Sequence, residues 1–164
     1  MDYTYQQILP KIAAYCSYQD RCQQEIVNRL IKWEYDEEDI PEVLAWLKEN
    51  KFWDEERYAA SFVRGKFRSN KWGRRKIQMA LHQKGVSPSL GKEALKEINE
   101  EEYYEVALKI ALRKVEKLMD KGEQNHLVKG KALQHLAGKG FETEVCYNAV
   151  EDALFEVKNK EEEE

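Results

Sequence analysis

Between residues 57 and 76 the chain sets out Arg57, Arg64, Lys66, Arg68, Lys71, Arg74, Arg75 and Lys76 without one intervening acid. Side chains of this type do one kind of chemistry well: they bind phosphate, carboxylate and other oxyanions. The residues for other chemistries are present but not arranged for them. His82, His126 and His135 have no histidine, cysteine or carboxylate four residues away, and neither HExxH nor a glycine-rich phosphate loop occurs. No metal, nucleotide or other cofactor is expected, and the chain does not read as an enzyme. Cys16, Cys22 and Cys146 are odd in number and form no CxxC, which suits free thiols in a reducing compartment.

The basic segment is masked by the whole-chain charge. The 164 residues hold 27 basic and 31 acidic side chains, a formal charge of −4 that taken alone argues against an anionic partner. Divided by position, residues 1–56 carry −7, residues 57–92 carry +10, and residues 93–164 carry −7. Such asymmetry points to a polyanionic or acidic partner. The bland alternative is that the segment pairs with its acidic neighbours inside the fold. Ten like charges without an interspersed acid favour an outside partner, since they otherwise repel one another.

The elements that must position these residues are helices. Charged residues make up 35% of the chain, yet hydrophobic residues reach 42%, so a folded and highly solvated protein is expected. Apolar residues recur at three and four, as in Ile40, Val43, Leu44 and Leu47, and strand-like alternation is absent. Helix starts show caps: Ser17 with Asp20, Asp36 before an acidic turn, Ser87-Pro88, and Asn99 followed by Glu100, Glu101 and Glu102. The last opens a long helix over 100–120. Gly85 and Gly140 each follow a lysine where a left-handed residue closes a helix.

Those glycines disclose a repeat. Leu81-His82-Gln83-Lys84-Gly85-Val86 and Leu136-Ala137-Gly138-Lys139-Gly140-Phe141 align at an offset of 55. An offset of 51 brings in Leu30, with Trp33-Glu34-Tyr35 standing for Lys-Gly-Val. Ile26, Ile77 and Ala132 each precede the leading leucine by four. The fold class that follows is all-α: three tandem three-helix repeats stacked into an elongated, curved solenoid. Its divisions are expected at 1–56, 57–99 and 100–157, with 158–164 a disordered acidic tail. No apolar run reaches the ~20 residues of a membrane span, and Met1-Asp2-Tyr3-Thr4-Tyr5 lacks a charged region ahead of an apolar stretch. A cytoplasmic monomer with no membrane partner is expected.

On a helix over about 54–69, Arg57, Arg64 and Arg68 fall within roughly 20° of one line, beside an apolar sector of Tyr58, Ala59, Phe62 and Val63. After Lys71, Trp72 and Gly73, the next helix opens with Arg74, Arg75 and Lys76. Three cations there oppose the helix dipole, so an external anion or acidic surface is expected to stabilise them. Trp46 is expected in the core. Trp72 is open between core packing and base stacking.

The run Asp54-Glu55-Glu56-Arg57-Tyr58-Ala59-Ala60-Ser61-Phe62-Val63-Arg64, continued by Trp72-Gly73-Arg74-Arg75-Lys76-Ile77 and Leu81-His82-Gln83-Lys84-Gly85-Val86, resembles the signature of the RecX family of bacterial regulatory proteins. Asp36-Glu37-Glu38-Asp39-Ile40 with Val43-Leu44-Ala45-Trp46-Leu47 is similar to its first repeat. Departures are Arg74 where a proline commonly follows the glycine, Trp33-Glu34-Tyr35 for Lys-Gly-Phe, and Cys22 for a frequent serine. The resemblance implies a non-enzymatic regulator that binds the RecA recombinase filament on single-stranded DNA and limits filament extension, ATP turnover and strand exchange. It carries over Arg57, Arg64, Arg68, Arg74, Arg75 and Lys76, with Lys66 and Lys71 added on charge, to meet acidic filament surface or DNA phosphate. The alternatives are a stand-alone nucleic-acid-binding helical module, and a structural repeat without an anionic partner.

Overall fold

The computed structural model describes residues 2–163. Helices form where the caps and apolar spacing place them: α1 Tyr5–Tyr18, α2 Gln23–Lys32, a single 3-10 turn Glu37–Asp39, α3 Ile40–Glu49, α4 Glu55–Asn70, α5 Arg74–Gln83, α6 Pro88–Leu95, α7 Glu100–Asp120, α8 Asn125–Gly138 and α9 Thr143–Glu163. No strand occurs among the described residues. Asn99 accepts from the Glu102 N–H at 3.0 Å and Ser87 from the Leu90 N–H at 3.4 Å, so both caps expected there hold. The Ser17–Asp20 cap does not form. Ser17 lies inside α1, α2 begins after Cys22, and Asp20 is drawn instead to α4, accepting from Arg57 and Ser61.

The three aligned segments close their helices in the same way. Leu30, Leu81 and Leu136 accept through their carbonyls from the N–H groups of Tyr35, Val86 and Phe141 at 3.0, 3.0 and 3.2 Å. In each case the preceding residue is left-handed: Glu34 at φ +60°, Gly85 at +83° and Gly140 at +96°. The donor's own side chain is buried. The motif therefore satisfies an end carbonyl while turning an apolar side chain inward.

Two compact units result, one of residues 1–64 with 78–95 and the other of 65–77 with 96–164. The division falls within α4 and within α5. In the first unit, Ile8, Ile12 and Cys16 of α1, Ile26 and Leu30 of α2, and Ile40, Val43 and Leu47 of α3 form one core with Tyr35 and Trp53. Trp46 is half-buried against it and stacks on Phe52 at 5.5 Å. In the second unit, α7, α8 and α9 pack on one another, and Ala107, Ala111, Ala149 and Ala153 are fully buried. Small side chains there let helix backbones approach closely. Residues 158–163, expected to be disordered, are helical and exposed. They extend a helix already packed through Val157, and lysine and glutamate are good helix formers that pair at i,i+4, as Lys158 and Glu162 are spaced. Glu164 lies outside the described residues. No described helix is long and apolar enough to cross a membrane. The three cysteines are buried free thiols, and burial pushes that of Cys16 up to about 11.

Candidate anion-binding turn

The second unit holds six of the eight basic candidates on residues 66–76, the end of α4, a short turn and the start of α5. Phe67 is buried and stacks on Tyr103 of α7 at 5.9 Å, which fixes the end of α4. The helix closes with Trp72 N–H donating to the Lys66 carbonyl at 3.2 Å, and Lys71 takes the left-handed position at φ +57°. Gly73 is buried against the turn after α8: its N–H donates to the Lys139 carbonyl at 2.7 Å, and the Arg75 N–H donates to that of Gly140 at 2.9 Å. A Cβ on Gly73 would stand 2.3 Å from the Gly140 carbonyl carbon, so no other residue fits.

Arg74 is the centre of this seat rather than a free contact. Its guanidinium binds Glu100 at 2.6 Å and Glu142 at 2.8 Å and lies 3.9 Å over the Tyr103 ring. Its backbone N–H donates to the Tyr103 hydroxyl at 3.0 Å, and that hydroxyl donates to Glu142. Burial alone would raise the Glu142 carboxyl, but the hydrogen bonds from Tyr103 and Arg74 outweigh it and hold the group below its ordinary 4.5. Burial, then the bond to Glu142, pushes the Tyr103 phenol up. The anion that stabilises this cation at a helix N-terminus is thus internal, which corrects the expectation of an external one for Arg74.

The remaining cations of the turn face outward. Arg68, Lys71 and Arg75 are exposed, and Arg75 reaches only the Thr143 hydroxyl at 3.5 Å. Lys66 and Lys76 place their Nζ atoms 4.8 and 4.6 Å over the half-buried Trp72 ring. Among the described residues, no carboxylate lies within ion-pair distance of Arg68, Lys71 or Lys76. Trp72 is neither core nor open platform; it is a ring flanked by two ammonium groups.

Arg57 and Arg64 belong to the first unit. Arg57 pairs with Asp20 at 2.6 Å, its N–H is capped by Asp54 at 3.0 Å, and Arg64 is exposed with a 3.5 Å contact to the Ser61 hydroxyl. Internal pairing therefore accounts for two of the eight basic candidates, Arg57 and Arg74. Asp20, Glu100 and Glu142 went unseen in the charge blocks because each lies in another block, brought close only by folding. The single signal for the seat was the Lys139-Gly140 repeat, which marked the turn but not what docks on it.

The fold is one of repeated three-helix domains, with exposed cations at the turn between α4 and α5. Residues 13–47 match the first three-helix domain of RecX and residues 54–95 the second. The chain belongs to the RecX family of regulatory proteins. It is 30% identical over 134 residues to the regulatory protein RecX of Clostridium botulinum strain Eklund 17B, covering 82% of this chain and 62% of that protein. With RecX of Oceanobacillus iheyensis it shares 33% identity over 131 residues, covering 80% and 47%. The chain thus spans about three fifths or less of the length of these relatives. A crystal structure of regulatory protein RecX is similar at a TM-score of 0.79 and 29% identity, covering 90% of this chain and 73% of the other. That of RecX from Lactobacillus salivarius shares the fold at a TM-score of 0.81 and 21% identity, covering 90% and 94%.

Proposed function

We propose that this protein binds the RecA filament on single-stranded DNA and limits its extension and strand exchange, without chemistry of its own. The observation that carries the reading, beside family membership, is the seated turn that leaves Arg68, Lys71 and Arg75 exposed beside Lys66, Trp72 and Lys76. Arg64, in the first unit, is a separate contact residue, whereas Arg57 and Arg74 position backbone and leave no charge to spare. The partner surface is acidic protein or phosphate, and the cytoplasm is the compartment in which such a partner works.

The test is charge reversal. The triple variant R68E/K71E/K76E is expected to lose inhibition of RecA-driven strand exchange with an unchanged far-ultraviolet circular dichroism spectrum. Persistent inhibition would falsify the assignment of this turn. Arg68, Lys71 and Arg75, exposed on one short stretch, suit a phosphate backbone as well, so direct binding to single-stranded nucleic acid is a second reading. Co-sedimentation with preformed RecA filaments, compared with binding to naked DNA across a salt titration, separates the two, because phosphate binding falls steeply with salt.

A further inference from the structure

A second set of cations lies in the acidic first unit, outside the basic segment. Lys11 donates to the Tyr3 hydroxyl at 2.7 Å and stands 4.4 Å over the Tyr3 ring and 4.4 Å over that of Trp33. Arg29 lies 5.9 Å over Trp33 and 4.5 Å over Tyr15, and Arg21 lies 3.8 Å over Tyr15 while its Nε donates to the Tyr15 carbonyl at 3.2 Å. The Tyr15 and Trp33 rings meet edge to face at 6.4 Å. All six side chains are half-buried, and the rings rest on the α1–α3 core. None of the three cations has a carboxylate within ion-pair distance among the described residues, although residues 1–56 hold 13 acids.

We infer that this ladder of alternating rings and cations on α1, α2 and the residues flanking them is a contact surface for single-stranded nucleic acid, distinct from the turn at residues 66–76. Single-strand sites pair cations for the phosphates with planar groups for the bases, and an arginine plane serves as well as a ring. The Arg21 guanidinium carbon stands 3.8 Å from the Tyr15 ring centroid, the separation of a stacked group, and the side chain keeps partial exposure. An acidic peptide fits less well. The Nε of Arg21 is already taken by the Tyr15 carbonyl, which removes one side of the fork a carboxylate prefers. Lys11, spread between two rings and a hydroxyl, is no isolated point charge.

The experiment is anisotropy of a labelled oligothymidine with the whole chain in the absence of RecA, titrated with salt. The variant K11Q/R21Q/R29Q is expected to bind about tenfold or more weakly, with a log–log salt slope smaller by about 2, from ~0.7 per lost phosphate contact on a single strand. R21K/R29K keeps the charge and removes the planes; it is expected to keep the slope and lose severalfold in affinity, and it serves if the triple glutamine variant does not fold. Three results overturn the inference: no binding by the parent chain, unchanged affinity and slope in both variants, or loss confined to R68E/K71E/K76E. Retained oligothymidine binding with lost binding to polyglutamate likewise overturns it and makes the surface protein-directed. None of these outcomes depends on strand-exchange inhibition, which tests the other turn.

Discussion

Lys71 holds the left-handed conformation at φ +57°, where an L side chain is strained by roughly 1–2 kcal/mol. The variant Lys71→Gly should raise thermal stability by about 0.5–1 kcal/mol while weakening partner binding, measured by melting and by filament co-sedimentation. Gly73→Ala should do the opposite to stability, costing about 2–4 kcal/mol, because its Cβ would meet backbone at 2.3 Å. Gly85→Ala, strained in φ but facing open space, should cost about 1 kcal/mol. These positions were unequally legible. Gly85 and Gly140 announce themselves as Lys-Gly pairs, and the repeat offset carries the same conformation to Glu34. Nothing local marks Lys71, whose turn lacks glycine and closes with a bond six residues back rather than five, and nothing local shows that Gly73 needs to be small.

At the scale of elements, the start of α5 is attached to α7 and to the turn before α9 through Arg74, Tyr103 and Glu142. The folded Glu142 carboxyl titrates below its ordinary 4.5, so its stabilisation is fully present above about pH 4.5 and is lost as pH falls through the lowered value. Glu142→Gln should therefore destabilise at pH 7 by about 1–3 kcal/mol and converge with the parent as the pH falls through that lowered value, seen by denaturant midpoints at pH 7 and at successively lower pH. Tyr103→Phe should cost a similar ~1–3 kcal/mol at pH 7 by leaving the Arg74 N–H unpaired, and only the part owed to its bond with Glu142 should fade as that carboxyl protonates. Helix ends were readable where a cap and a dipole agreed, as at Asn99 and α7. They were not readable where long-range pairing won: Asp20 looks like a cap and is instead the partner of Arg57, 37 residues away. The glutamate-rich end was read as disordered from composition, yet packing upstream extends the helix into it.

For the whole molecule, the charge pattern of −7, +10 and −7 overestimates how much charge the basic segment offers. Arg57 and Arg74 are consumed internally, and the cations of the first unit were hidden by their acidic surroundings. Inhibition of RecA by contacts between exposed charges should fall as salt rises from about 50 to 300 mM, over which the Debye length shortens to under ~8 Å. Strand-exchange assays across that range check this, and a flat profile would point to an apolar contact. The seat of the basic turn has a further consequence, in the making of the protein. Arg74 and Glu142 are 68 residues apart, and contacts that distant close late because the intervening chain must first be brought together. During synthesis from the N-terminus, Lys71 and Trp72 leave the ribosome well before the turn after α8 exists. A nascent chain that has not reached Glu142 therefore carries the charges but not their arrangement.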